Sequence, residues 1–315
     1  MGGQLIREAE PARHIGRHSR NVGGQHKVDS MRYVEVQPSP ALRNYLECFW
    51  FVSDDRQTVV TGVPERVLPD GCVEWIFHFG EPFQQSIGAV CWERQPRSFL
   101  VGELTEFLLL RSTGATSVMG VRFRPGSAYR FLPLPLELLT DKTVGVEEVW
   151  GAEGRRLEKA VFAASSNQHR RKLLEAFLLR KLEESCQRPR FEAAIREIMR
   201  NCGRTRVDEL ARRLDCSPRQ VEREFRLYLG LTPKALARII RFQNLLRLVG
   251  EETLERWANL ALASGYCDQS HMVREFQSFT GHCPSDQPAA DESPLARHFV
   301  SPRRLRALLG GSHTT

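Results

Sequence analysis

Several kinds of segment are missing from the sequence, and each absence narrows the field. No apolar run reaches the roughly 18 residues that a membrane-spanning helix requires. The first twenty residues, "MGGQLIREAEPARHIGRHSR", lack an apolar core, so no secretory signal is expected. The eight cysteines are scattered, with no C-x-x-C pair. A zinc site or disulfide framework is therefore not expected, and reduced thiols in the cytosol are the simplest reading. No G-x-G-x-x-G, phosphate-binding loop or H-E-x-x-H occurs, and Pro125-Gly126-Ser127-Ala128-Tyr129 is not a G-x-S-x-G elbow. No catalytic residue, metal ligand or cofactor is expected on these grounds.

The chain has 315 residues, 41% of them hydrophobic, with a net charge of +7. That length suits one large or two ordinary domains, and that hydrophobic content a packed core. The basic balance weakly favours nucleic acid or another anionic surface.

Residues 1–30 are rich in Gly, Arg and His without periodicity and read as a disordered tail. Met31 opens a better-patterned stretch, so translation starting there and a native flexible tail are both open. From Tyr33 to about Phe131 the signals are strand-like. "VLPDGCVEWIFHFG" carries a Pro-Asp-Gly turn before an aromatic, β-branched run, Val73 to Phe79. "SPALRNYLECFWFV" reads as a short helix running into a strand. Residues 133–185 turn helical, with Leu173, Leu174, Phe177, Leu178 and Leu182 at helical spacing. This apolar stripe can pack on its own domain or on a partner's copy, which would make a homodimer. Cys186 to Pro189 reads as a linker. Residues 190–286 are helical throughout, and 287–315 form a flexible Ala/Pro/Ser-rich tail.

One pattern in the helical part occurs twice. "VEREFRLYLGLTP" (Val221–Pro233) and "MVREFQSFTGHCP" (Met272–Pro284) align at an offset of 51. Arg223, Glu224, Phe225, Gly230 and Pro233 match Arg274, Glu275, Phe276, Gly281 and Pro284. Each unit follows a shorter helix, which makes a duplicated helix–turn–helix. Ala211 and Ala261 are small enough for two helices to approach closely. Ser217 and Asp268 stand where a side-chain oxygen caps the second helix. The buried stripes are Val221, Phe225, Tyr228 and Met272, Phe276, Phe279. Opposite them lie Arg219, Glu222, Arg223 and Arg226, flanked by Gln220, and then Ser270, Val273, Arg274 and Gln277, flanked by Gln269 and His271. These are side chains that pair with base edges in the major groove, and they cluster in the helix half that a recognition helix uses. A solvated polar face explains either unit alone. Two units at a fixed offset, joined by a helix-length segment, are harder to explain that way. Residues 190–285 hold sixteen Arg and Lys against twelve Asp and Glu, a surplus of four.

Residues from about 205 to 286 resemble the DNA-binding domain of the AraC/XylS family of bacterial transcription regulators. The motifs that carry the resemblance are "LARRLDCSPRQVEREFRLYLGLTP" and "ALASGYCDQSHMVREFQSFTGHCP". It implies two reading helices entering successive major-groove segments on one face of double-stranded DNA. By motif position the base-facing residues are Arg219, Gln220, Glu222 and Arg223, then Gln269, Ser270, His271, Val273 and Arg274. Leu245, where the family often has Ala, and Trp257, in an unusual place, bear on how the two units pack. The elements "LPDG", "RF-x-PG" and "WG" resemble an N-terminal domain of undefined function found ahead of such DNA-binding domains. This implies a β-rich, cupin-like regulatory module over 31–185 followed by helices. The expected fold is α+β, with an all-α C-terminal domain over 190–286.

Within the N-terminal half, His78 reads as a structural histidine rather than a metal ligand. Cys48, Cys72 and Cys91 could meet as a metal or redox sensor, though small buried hydrophobes are the better reading. Trp50, Trp75, Phe77 and Trp92 read as core, or as lining for an apolar effector. Arg122 and Arg124 share a strand face and, with Glu103, could clamp an anion; a solvated face is the plainer account. The expected function is a cytosolic, effector-responsive transcription regulator. The alternatives are a cysteine-based repair or sensing protein with an attached DNA-binding domain, and a DNA-binding protein with a dimer scaffold.

Overall fold

A computed structural model describes residues 32–54, 64–88, 91–249 and 257–284. The two tails and Met31 lie outside the described residues. Among the described residues the N-terminal half contains ten strands: β1 (Arg32–Val36), β2 (Leu46–Asp54), β3 (Glu65–Val67), β4 (Glu74–His78), β5 (Gln84–Ile87), β6 (Glu93–Arg94), β7 (Ser98–Val101), β8 (Leu108–Arg111), β9 (Thr116–Phe123) and β10 (Thr143–Gly145). Two helices follow, α1 (Val146–Ala163) and α2 (Asn167–Glu184). The C-terminal half is helical: α3 (Pro189–Arg200), α4 (Val207–Arg213), α5 (Pro218–Tyr228), α6 (Pro233–Val249), α7 (Trp257–Ser264) and α8 (Gln269–Thr280). The architecture is α+β, a β-rich domain with trailing helices and then an all-α domain.

The strands form a six-stranded sheet, β1-β2-β9-β4-β7-β10, and a four-stranded sheet, β3-β8-β5-β6, antiparallel throughout. Side chains alternate across a strand, and the larger sheet buries both of its faces. Phe49, Trp75, Phe77, Met119 and Val121 pack beneath α1 and α2 with Trp150, Phe177 and Leu178. Cys48, Trp50, Val52 and Val118 face the smaller sheet, with Leu108 and Leu110. This explains why "CFWFV" within β2 reads as a continuous apolar run rather than an alternating one. Residues 40–42 form the short helical turn expected ahead of β2.

The apolar stripe of α2 is used within the chain. Leu174, Phe177 and Leu178 are buried in the N-terminal core, and Leu173 and Leu182 pack against it. Of the two uses left open for this stripe, packing on its own domain is the one observed. Arg124 lies just beyond the end of β9 and its Nε donates to the Arg43 carbonyl at 2.8 Å, so it does not share a strand face with Arg122.

Gly120 on β9 stands opposite Trp50 on β2. A Cβ at Gly120 would lie 2.0 Å from Trp50 Cε2, so the indole lies across the strand only because position 120 has no side chain. Gly120→Ala is expected to lower stability by about 1–3 kcal/mol through overpacking. Thermal melting checks this, and an unchanged melting temperature would mean that the indole does not cover position 120.

Candidate DNA interface and effector pocket

The two repeated units fold as short helix pairs, α4–α5 and α7–α8, around one shared core. That core takes Leu210 and Ala211 from α4, Val221 and Phe225 from α5, Ala261 from α7, and Met272, Phe276 and Phe279 from α8. Ala211 and Ala261 are almost completely buried, which places each pair of helices in close contact. The caps are as expected. Ser217 Oγ accepts from Gln220 N at 3.2 Å, and Asp268 Oδ1 accepts from His271 N at 2.7 Å. The turns into the reading helices need left-handed backbone, supplied by Asp215 (φ 49°) and Gly265 (φ 92°). The reading helices end on Gly230 (φ 92°) and Gly281 (φ 80°), so the repeated glycine has a conformational cause.

Arg219, Glu222 and Arg223 are exposed on α5, and Gln269, Ser270 and Arg274 on α8. The remaining expected residues are half-buried. Gln220 Nε2 donates to Glu224 at 3.4 Å, His271 stands edge-on to Tyr266, and Val273 rests against the core. Tyr228 is also only half-buried, its ring tilted against Tyr129 of the N-terminal half with centroids 5.4 Å apart.

Both units are held by α6. Phe242 packs against Phe276 and Phe279 of α8. Buried Glu275 accepts from Arg238 Nε at 2.9 Å and Arg241 Nη2 at 3.0 Å, with His271 Nε2 3.4 Å away. Sequence reasoning noted Glu275 only as a repeated letter. Its arginine partners sit three apart on α6, and that spacing was the available signal. Leu245 is fully buried in this core; the side chain of Trp257 lies outside the described residues.

A second site lies between the two sheets. It is a cavity of about 50 Å³, walled by Trp50, Val52, Ile76, Leu104 and Leu108 and by the loop Leu68–Cys72. Glu74 and His78, on the same face of β4 as Ile76, bring polar groups to its two ends. At one end Arg122, only 2% exposed, donates through Nε to Glu47 at 2.9 Å, through Nη1 to Glu74 and through Nη2 to Asp70. The arginine is thus neither solvated nor free to clamp an anion. At the other end His78 meets Gln95 at 2.9 Å and lies between Phe83 and Phe99.

Burial pushes the Cys72 thiol and the Glu103 carboxyl well up, opposed in each case by the nearby Arg122 guanidinium. Cys72 is therefore held as a neutral thiol rather than a reactive thiolate. Cys48 is likewise buried while Cys91 is exposed, so the three thiols do not share one environment. No cluster of three or more His, Cys, Asp or Glu that could hold a metal occurs among the described residues. Trp75 and Phe77 are core, whereas Trp92 is exposed beneath Arg111.

The loop Leu68–Cys72 has two sides. Leu68, Asp70 and Cys72 line the cavity. On the other side the Pro69 carbonyl accepts from Gln243 Nε2 of α6 at 2.6 Å, and a Cβ on Gly71 would lie 3.3 Å from Leu236. The ends of the reading helices also touch the N-terminal half. Thr140 Oγ1 donates to the Gly230 carbonyl at 2.7 Å, and Gly281 abuts Phe107.

Residues 34–145 match the family described as a domain of unknown function (DUF6597), and residues 210–287 match a helix-turn-helix domain family. No curated protein matches the chain. Solved structures of ToxT from Vibrio cholerae align with it at low identity. One, in the P21 form, is 10% identical over 82% of this chain and 97% of that one, with a TM-score of 0.40. Another, bound to (E)-4-(8-methylnaphthalen-1-yl)but-3-enoic acid, is 10% identical over 82% and 97%, with a TM-score of 0.42. A third, with unsaturated fatty acid bound, is 15% identical over 81% and 92%, with a TM-score of 0.38.

Burial holds the His78 imidazole down at about 4, against the opposing pull of its hydrogen bond to Gln95. The unfolded chain therefore takes up this proton first, between about pH 6.5 and 4. The contribution is present in full above 6.5 and is lost as pH falls through 4, to about 3 kcal/mol. The stability advantage of wild type over His78→Gln should then be smaller at pH 4.5 than at pH 7 in urea unfolding. An advantage that does not change with pH would contradict a buried neutral imidazole.

Proposed function

We propose that this DNA-binding transcription regulator, with its AraC-type helix–turn–helix domain, reads one duplex with α5 and α8 and answers to a small molecule held between its two sheets. The observation that carries the effector half is the shared loop: Leu68, Asp70 and Cys72 wall the cavity, while Pro69 and Gly71 seat α6. α6 in turn carries the core and ion-pair contacts that orient both reading helices. A ligand that favours one position of the loop therefore favours one arrangement of α5 and α8, which is all that regulation requires. We take the N-terminal half as a sensor rather than a catalyst. Cys72 and Glu103 are held neutral and Arg122 is tied in ion pairs, which suits binding rather than proton transfer. We divide the chain at about residues 186–189, between α2 and α3. With the stripe of α2 occupied, a homodimer would have to use another face. No helix among the described residues is long and apolar enough to cross a membrane.

The base-facing set is proposed as Arg219, Gln220, Glu222 and Arg223 on α5 and Gln269, Ser270, His271, Val273 and Arg274 on α8. The exposed members sit at the helix ends remote from the contacts with the N-terminal half. Selection of bound fragments by the full chain yields the site. On that site Arg223→Ala and Arg274→Ala should each relax base preference at a different position, by about 1–3 kcal/mol. Lys234→Ala, exposed at the start of α6, should weaken all sequences alike and flatten the salt dependence by about one phosphate. Uniform losses from both Arg variants would remove the base-reading assignment.

The coupling has its own test on one strand. Val118 faces the cavity and Val121 the core beneath α1 and α2. Val118→Phe and Val121→Phe should each cost about 1–3 kcal/mol of stability. Only Val118→Phe should change the affinity of the folded protein for its DNA site. Equal effects on DNA affinity would refute coupling through the loop.

A further inference from the structure

We infer that the cavity between the sheets takes a small apolar molecule bearing a neutral or cationic hydrogen-bond donor, and that it refuses carboxylates. This rests on the effector reading above and narrows it to a chemical class.

The first argument is the direction of a hydrogen-bond chain. Gln85 Nε2 donates to Glu93 Oε1 at 2.7 Å and to Thr143 Oγ1 at 2.8 Å. A carboxylate accepts only, so the amide of Gln85 is fixed with its nitrogen toward Glu93. Its oxygen then accepts from Gln95 Nε2 at 2.8 Å. That leaves the Gln95 oxygen facing His78 Nε2 at 2.9 Å, and only an N–H on the imidazole satisfies it. His78 is 1% exposed, and its other nitrogen, Nδ1, has no partner among the described residues. In this tautomer Nδ1 is an unmet acceptor on a side chain that lines an apolar cavity. An unmet acceptor there is satisfied by a ligand hydroxyl or N–H, and not by a carboxylate.

The second argument is charge. Glu74 and His78 are four residues apart on one face of β4, so the polar groups lie roughly 13 Å from each other along the strand. At the Glu74 end one guanidinium is surrounded by three carboxylates, a formal charge of −2. Every nitrogen of Arg122 already donates to one of them. Among the residues that line the cavity, an incoming anion finds no Arg or Lys but Arg122, whose nitrogens already face three carboxylates. A neutral or cationic ligand needs no such partner.

Four probes of one ring size separate the possibilities on the wild-type chain at pH 7.5: toluene, phenol, benzylamine and benzoate. Binding is read by ligand-observed NMR and by Trp50-sensitive fluorescence, and the affinity for the selected DNA site is measured with each probe. Phenol and benzylamine should bind at least tenfold more tightly than benzoate, and phenol more tightly than toluene. In His78→Leu the advantage of phenol over toluene should vanish. Should that variant not fold, the wild-type ranking alone decides. Benzoate binding as well as phenol would overturn the class while leaving an effector site in place. Binding by none of the four would remove the effector reading, and this inference with it.

Discussion

The Arg122 guanidinium reaches Glu47 on β2, Glu74 on β4 and Asp70 in the loop after β3, drawing three separate stretches of chain onto one buried group. A buried charge is costly unless fully paired. Removing one partner of such a cluster typically costs about 3–5 kcal/mol, although replacing the whole cluster with apolar side chains can be neutral. The cluster is therefore better understood as a device that fixes position than as a source of stability. Asp70 shows what is fixed: one carboxylate oxygen accepts from Arg122, and the other accepts from Cys72 N at 3.0 Å. The loop is thereby clamped at the mouth of the cavity, and its outer side is presented to α6.

From that clamp the remaining geometry follows in order. Gly71, at φ 81°, lets the backbone turn close against Leu236, and Pro69 receives the Gln243 amide. Gln243 is 3% exposed, so its polar side chain depends on that carbonyl for a partner. α6 is then committed to the N-terminal half on one side and to both reading helices on the other. The Glu275 network ties α8 to α6 through Arg238 and Arg241, and Val221 and Phe225 tie α5 into the same core. The reading helices are thus oriented by a helix that touches no base in the proposed arrangement.

The legible and illegible parts of the sequence divide along physical lines. The reading helices were legible because each buries one stripe and exposes the other, so Val221 and Phe225, like Met272, Phe276 and Phe279, repeat at helical spacing. Ser217, Asp268 and the two glycines were legible because caps and left-handed turns restrict residue type. β2 was recognisable as apolar but not orientable, since both of its faces are buried. The smaller sheet was scarcely visible: β3, β5 and β6 are only two to four residues long and mostly polar. Arg122 misled because alternation marks a polar face without saying what meets it. Its carboxylate partners on β2 and β4 lie 75 and 48 residues away in sequence. Glu275 was missed for the same reason, its arginines lying 34 and 37 residues upstream.

The size of the cavity decides how a ligand can act. About 50 Å³ is well below the roughly 300–1,000 Å³ of sites that hold drug-sized molecules. A ligand of even one ring must move a wall. β9 is hydrogen-bonded to β2 and β4, and β4 to β9 and β7, so those walls yield only by breaking ladders on both sides. The Leu68–Cys72 segment has no ladder. It is held by the Asp70 contacts, the Gln243 hydrogen bond and apolar packing, so it can shift about the Asp70 clamp without breaking a ladder. The wall that yields to a ligand is consequently the wall on which α6 rests. Expansion of the cavity and a shift of the reading helices are then one movement, driven by whatever free energy the ligand gains in the wider pocket.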